Sequence, residues 1–209
     1  MDTKTLPTAN LRALLGAALE QGLSQVGQVS ILILGTTFRL THLDDRDRKD
    51  LQIFCRPHDA TQIALLDDAG AYRPLKTAPD LRHGWQLNLA CLADLHLALD
   101  LIYPAAIGNW RAWLKGDLPI TPLRDLVNRQ TGMYRITGKA TTEQAREVRQ
   151  TLCQTGCKRH ILWSIEPDEK VPNQQFADKN IPLLCPEACC IFVATTRKVV
   201  KGIPLDQIE

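Results

Sequence analysis

Val29-Ser30-Ile31-Leu32-Ile33-Leu34, with Thr37-Phe38-Arg39-Leu40-Thr41 close behind, is where the apolar spacing of this chain stops being helical. Upstream, Leu11, Leu14, Leu15, Ala18 and Leu19 recur at three- and four-residue steps, so Thr8 to Gln25 reads as an amphipathic helix. Downstream, Leu51 to Cys55, Gln62 to Leu66 and Ala71 to Leu75 repeat the short-run pattern, parted by turn-rich segments such as Leu43-Asp44-Asp45-Arg46-Asp47. The stretch predicts an antiparallel β-meander, and Asp67-Asp68-Ala69-Gly70 is its best hairpin turn. Asn88 to Trp113 returns to helical spacing with a bend at Pro104, because proline lacks the amide and crowds the preceding turn.

The clearest break is Lys115-Gly116-Asp117-Leu118-Pro119-Ile120-Thr121-Pro122, which divides the chain into an N-terminal domain, 1–116, and a C-terminal domain, 117–209. Beyond it the pattern predicts a short helix over Leu123–Arg129, an extended piece over Met133–Ile136 and a helix from about Thr141 to Gln154. Thr141-Thr142-Glu143-Gln144 fits a capping box, and Gly156 helps to end that helix. His160 to Ile165 reads as a strand, Glu166 to Asn180 as a polar loop, and Pro186 to Lys201 as a last helix with proline in its first turn. The fold class is α+β: an N-terminal helix and antiparallel meander followed by a helical, cysteine-bearing domain.

The chain has 209 residues, 44% apolar and 23% charged, with a formal net charge of +2, and neither repeats nor low-complexity tracts. That balance is too mild to point to nucleic acid or a membrane surface. No apolar run approaches the ~20 residues of a membrane span, and the first residues lack a basic segment leading into an apolar one. A cytoplasmic location is the expectation, with no membrane and no nucleic acid as partner. Thiols stay reduced there, so the seven cysteines point to metal binding or catalysis rather than disulfides. His42, His58, His83, His96 and His160 show no paired spacing and read as surface or core residues. Trp85, Trp110, Trp113, Tyr103 and Tyr134 read as core rather than as a base-stacking platform.

Five of the cysteines lie in the last third, where Cys153-Gln154-Thr155-Gly156-Cys157 and Cys185-Pro186-Glu187-Ala188-Cys189 form two C-x3-C pairs and Cys190 follows. A four-residue step at a helix end puts both thiols of a pair on one face, and two such pairs can converge on one polynuclear centre. Four thiolates satisfy an iron–sulfur cluster; zinc more often takes C-x2-C knuckles, so it stays open as the weaker reading. Cys185, at the start of the last helix, would meet the positive end of the helix dipole, and Lys158, Arg159 and His160 would offset an anionic cluster. Cys190 reads as a core thiol or an alternate ligand. Cys55 and Cys91, among apolar neighbours, read as core thiols.

The run Thr151-Leu152-Cys153-Gln154-Thr155-Gly156-Cys157-Lys158-Arg159-His160-Ile161-Leu162-Trp163, with Leu184-Cys185-Pro186-Glu187-Ala188-Cys189, resembles the [4Fe-4S]-binding domain attached to some sirohydrochlorin-chelatase-like (CbiX-like) bacterial proteins. Tyr72-Arg73-Pro74-Leu75-Lys76-Thr77-Ala78-Pro79 and Leu101-Ile102-Tyr103-Pro104-Ala105-Ala106 look like the stabilising domain that accompanies it. The resemblance implies that Cys153, Cys157, Cys185 and Cys189 hold one [4Fe-4S] cluster. The chelatase domain itself has no counterpart in the residues, so metal insertion is not expected of this chain. The expected role is redox, electron transfer or iron and redox sensing, linked to tetrapyrrole metabolism through a redox or tetrapyrrole-pathway protein partner. The alternatives are a zinc-binding structural module and an accessory subunit of a sirohydrochlorin-type chelatase.

Overall fold

A computed structural model describes residues 8–64, 81–128, 132–157, 159–169, 171 and 179–208. The chain forms two compact units. The first takes the described residues within Met1–Leu75, Asp80–Lys115 and Phe176–Leu183, and the second those within Gly116–Gln175 and Leu184–Glu209.

In the first unit, helix α1 (Thr8–Glu20) buries Leu15 and Leu19, while Leu11, Leu14 and Ala18 pack beside them. Strands β1 (Gln25–Val26), β2 (Val29–Leu34) and β3 (Thr37–His42) pair antiparallel in sequence, β2 and β3 where the short runs predict strands and β1 where the helix is expected to end. Gly35 makes the β2–β3 turn with φ +63, a left-handed conformation open to glycine without cost. Ile31 faces Leu40 across the ladder and both are buried, whereas Leu32, Ile33 and Leu34 are exposed where the hairpin projects. The sheet is larger than the meander. Strand β5 (Trp85–Leu89) pairs antiparallel with β3, and β4 (Gln52–Phe54) and β9 (Asn180–Ile181) join the two edges in parallel, giving the order β4-β5-β3-β2-β1-β9.

Two expectations change here. Gln62 and Ile63 belong to a short helix α2 (Ala60–Ile63) rather than a strand, and the rest of that run, with Asp67–Gly70 and Ala71–Leu75, lies outside the described residues. The helical spacing begins later than Asn88, because Trp85, Leu87 and Leu89 alternate into the core as a strand. Helices α3 (Leu92–Ile102) and α4 (Ala106–Leu114) then follow, parted at Pro104 as expected. Their buried faces, with Leu95, Leu99, Ile102 and Ile107, close the core over Leu40, Leu87 and Trp85. Each such side chain contributes roughly 1.5–3 kcal/mol of burial.

The second unit starts with β6 (Thr121–Pro122) and α5 (Leu123–Asn128). Residues Met133–Thr137 form helix α6 rather than the extended piece expected of them. Thr137 donates its hydroxyl to the Val193 carbonyl at 3.1 Å, a contact to the last helix that no local pattern announces. Helix α7 (Thr142–Arg149) begins on the expected capping box: Thr141 Oγ1 accepts from the Gln144 N–H and Gln144 Oε1 accepts from the Thr141 N–H. Two-residue strands β7 (His160–Ile161), β8 (Trp163–Ser164) and β10 (Leu184–Cys185) make two parallel ladders, β10 with β7 and β6 with β8. Helix α8 (Cys190–Val200) starts four residues later than the sequence suggests, because Cys185 is held in β10 and Cys189 becomes the N-cap. Trp163 and Phe192 meet edge to face, with ring centroids 4.9 Å apart, at the centre of this core.

Candidate metal centre

Helix α7 runs without a break into a π-helical turn over Gln150–Thr155, and Cys153 lies in that turn. Single π turns of this kind recur at functional sites. Gly156 closes the turn and Cys157 follows it. The second pair is built differently: Cys185 ends β10 and donates its thiol hydrogen to the Glu187 carbonyl at 3.0 Å, and Cys189 caps α8, accepting from the Phe192 N–H at 3.5 Å. The dipole end assigned to Cys185 on the sequence therefore belongs to Cys189.

All four thiols converge. Burial, with nearby Cys189, Cys185 and Cys157 adding to it against the pull of Arg149, pushes Cys153 up to about 12. Burial likewise pushes Cys185 up to about 11, with Cys189 and Cys157 adding to the rise, while Arg159 and the Trp163 indole N–H oppose it. That N–H is buried and reaches no acceptor at full hydrogen-bond geometry, so the Cys185 sulfur is the group its dipole acts on. Cys153, Cys185 and Cys189 are partly buried against the second core. With their protons on, these are low-polarity thiols; they become ligands when a cation displaces the protons.

The set is open. Among the described residues no three thiol sulfurs lie within 4.8 Å of one another. One tetrahedral zinc needs its thiolates about 3.8 Å apart, given Zn–S of about 2.3 Å. A four-iron cluster takes one thiolate at each of four different irons, which suits a wider spacing. The donor set fits the cluster.

Behind the thiols, Arg149 makes a two-pronged pair with Glu169, at 2.6 and 3.1 Å, and its guanidinium lies 5.9 Å from the Trp163 ring. Glu169 also accepts from the Ile165 N–H at 2.7 Å, which ties the chain after β8 to the end of α7. Nothing in the sequence announces this brace, since Arg149 and Glu169 have no motif to join them.

The other cysteines lie elsewhere. Cys55 and Cys91 are exposed rather than core thiols, since one follows the edge strand β4 and the other is the N-cap of α3. Cys190 is exposed as well, so the core reading of it fails, while its place beside Cys189 stands. Lys158 lies outside the described residues. Trp85 and Tyr103 belong to the first core.

Residues 115–198 match the family of a 4Fe-4S iron–sulfur cluster binding domain, and residues 13–113 match the DR2241 stabilising domain. The chain is similar to these two families, one match in each half. Among solved structures it is similar to DR2241 from Deinococcus radiodurans, at 31% identity and a TM-score of 0.77. That protein is described as multi-domain, with structural similarity to chelatases and two additional novel domains. The match covers 92% of this chain and 42% of DR2241, so the chain spans about two fifths of its relative. Among curated proteins nothing matches. Among the described residues no helix is long and apolar enough to cross a membrane.

Proposed function

We propose that the second unit holds one [4Fe-4S] cluster on Cys153, Cys157, Cys185 and Cys189, and that the protein is a redox component serving a tetrapyrrole-pathway partner. The convergence of the two C-x3-C pairs carries this reading. It is supported by the match of residues 115–198 to a cluster-binding family. A bound cluster supplies one-electron transfer. Four cysteines fill one protein ligand position per iron, which leaves the chain no place to bring substrate to iron and favours electron transfer or sensing over substrate activation.

The chain's own residues set the conditions of loading. Each thiol must give up its proton, and burial opposes this at Cys153 and Cys185. Arg149, Arg159 and the Trp163 N–H favour the thiolates. A second reading, an accessory subunit for a chelatase, is favoured by the chelatase similarity of DR2241 and by the domain pairing it shares with this chain.

Anaerobic reconstitution with ferrous iron and sulfide tests the proposal. About four irons and four sulfides per chain, with broad brown absorbance that bleaches on reduction, are expected. Stoichiometric zinc without sulfide in protein from iron-replete cells would overturn it. Chelatase assays of a partner with and without this protein separate the second reading.

A further inference from the structure

The first unit carries a second cluster of ligating side chains. β3 and β5 run antiparallel, with Thr41 paired to Gln86, so the chain leaving β3 at His42 comes alongside the chain entering β5 at Trp85. A single 3-10 turn, Leu43–Asp45, follows His42 and brings Asp45 back toward the strand ends. On the other side Gly84 has φ +82, a conformation that a side chain would strain, and it directs its N–H at Asp45 Oδ2, 2.7 Å away. His83 is thereby placed against His42, with ring centroids 3.9 Å apart, and its Nδ1 lies 3.6 Å from Asp45 Oδ2. One ring nitrogen of each histidine and one oxygen of Asp45 lie within 4.8 Å of one another.

We propose that His42, Asp45 and His83 bind a borderline divalent cation of the zinc or ferrous-iron type. Two neutral imidazoles and one carboxylate are the donors such ions prefer; magnesium and calcium take oxygen sets, and no thiol is present for a softer ion. Charge favours this too, since one carboxylate meets a doubly charged ion. The outer contacts are those of a held ligand set. Arg48 occupies Asp45 Oδ1 at 3.1 Å and the Gly84 N–H fixes the other oxygen. His42 Nδ1 faces Asp44, 3.2 Å from its N–H and 3.7 Å from its carboxylate. Nδ1 accepts from that N–H in the ion-free ring, so binding through Nε2 moves the ring proton to Nδ1, where the Asp44 carboxylate can accept it.

An ordinary hydrogen-bonded network explains the cluster less well. Two imidazoles tilted against each other beside one carboxylate cannot both be charged without repulsion, whereas a cation uses one lone pair of each ring without protonating either. Asp45 takes hydrogen bonds from the Gly84 N–H and from Arg48, contacts that favour the carboxylate form a ligand needs. His42 and Asp45 are 2% exposed and His83 is about half-exposed, which leaves one side for entry of the ion and for water as the remaining ligands.

The test uses the full chain with its cluster loaded anaerobically, titrated with cobalt(II) as the probe. One equivalent should bind with weak visible bands and without the intense thiolate-to-cobalt charge transfer that cysteine ligation gives. His83→Ala, at a half-exposed position that leaves the core intact, should weaken this binding about tenfold or more, and Asp45→Asn should do the same. Binding unchanged in His83→Ala, cobalt bands carrying only the thiolate signature, or no bound cobalt in the loaded protein would each overturn the proposal. Because the cluster residues are native in every sample, loss of the cobalt site is read independently of the iron and sulfide content.

Discussion

The two units solve the problem of stability differently. The first has a six-stranded sheet under helices, and its core runs from Leu15 through Leu40 and Leu87 to Ile102. The second has ladders of two residues per strand, and three of its cysteines pack against the smaller core around Trp163 and Phe192. Apolar burial can hold the first alone. Short isolated ladders are marginal in water, so the second is the unit whose folding a bound cluster would support. The lesson is that the ligand thiols belong to the unit with the smaller core and the shorter strands.

Single substitutions of Cys153, Cys157, Cys185 or Cys189 by Ser should break the contrast most completely. Iron and sulfide should fall from about four per chain to less than half of that, and hydrogen exchange should rise across the second unit but not in β2, β3 or β5. Cys55→Ser and Cys91→Ser should retain the full complement, and Cys190→Ser tests the choice within the adjacent pair. Exchange rising equally in both units would show that the first also depends on the cluster.

Next in size, Phe192→Ala removes a fully buried ring from the smaller core and should cost about 3–5 kcal/mol. Leu40→Ala should cost about 2–5 kcal/mol in the larger one. Denaturant unfolding of the loaded proteins, followed unit by unit, should show each loss in its own unit.

pH should separate the units in the apo-protein. Raised thiols in the fold keep protons that the unfolded chain releases above the ordinary value of 9.0, so the second unit should lose stability as pH climbs from about 9 toward about 11 to 12. Cys153→Ala should flatten that loss. In the first unit burial holds His96 below 6.5, so the unfolded state binds the extra proton and stability falls as pH drops below about 6.5. Exchange measured at both extremes should therefore open opposite units. The smallest effect is that of Thr141→Ala, which removes one half of the capping box and should cost about 1 kcal/mol in the second unit alone.

What could be read from the residues follows the same division. Helix α1, strands β2 and β3, the break at Pro104 and the capping box at Thr141 rest on local patterns, and each is present. The cysteine pairs were legible because their spacing is local too. Strand β5 was readable in the alternation of Trp85, Leu87 and Leu89, but the helical run behind it masked the change of period. Helix α6 and the late start of α8 depend on partners distant in sequence: Val193 for one, and for the other the β7 strand that holds Cys185 extended. His42 and His83 meet only because β3 and β5 are neighbours, which no spacing in the chain encodes.

The π turn at Gln150–Thr155 sets the phase of everything after it. An α-helix turns about 100° per residue and a π-helix about 82°, so relaxing this six-residue turn to the ordinary repeat, with no residue removed, would rotate the chain beyond it by about 100°. The first C-x3-C pair would keep its spacing and lose its aim. A chain can thus carry an intact cysteine signature and still be unable to close around a cluster, the deciding quantity being one residue of helical register.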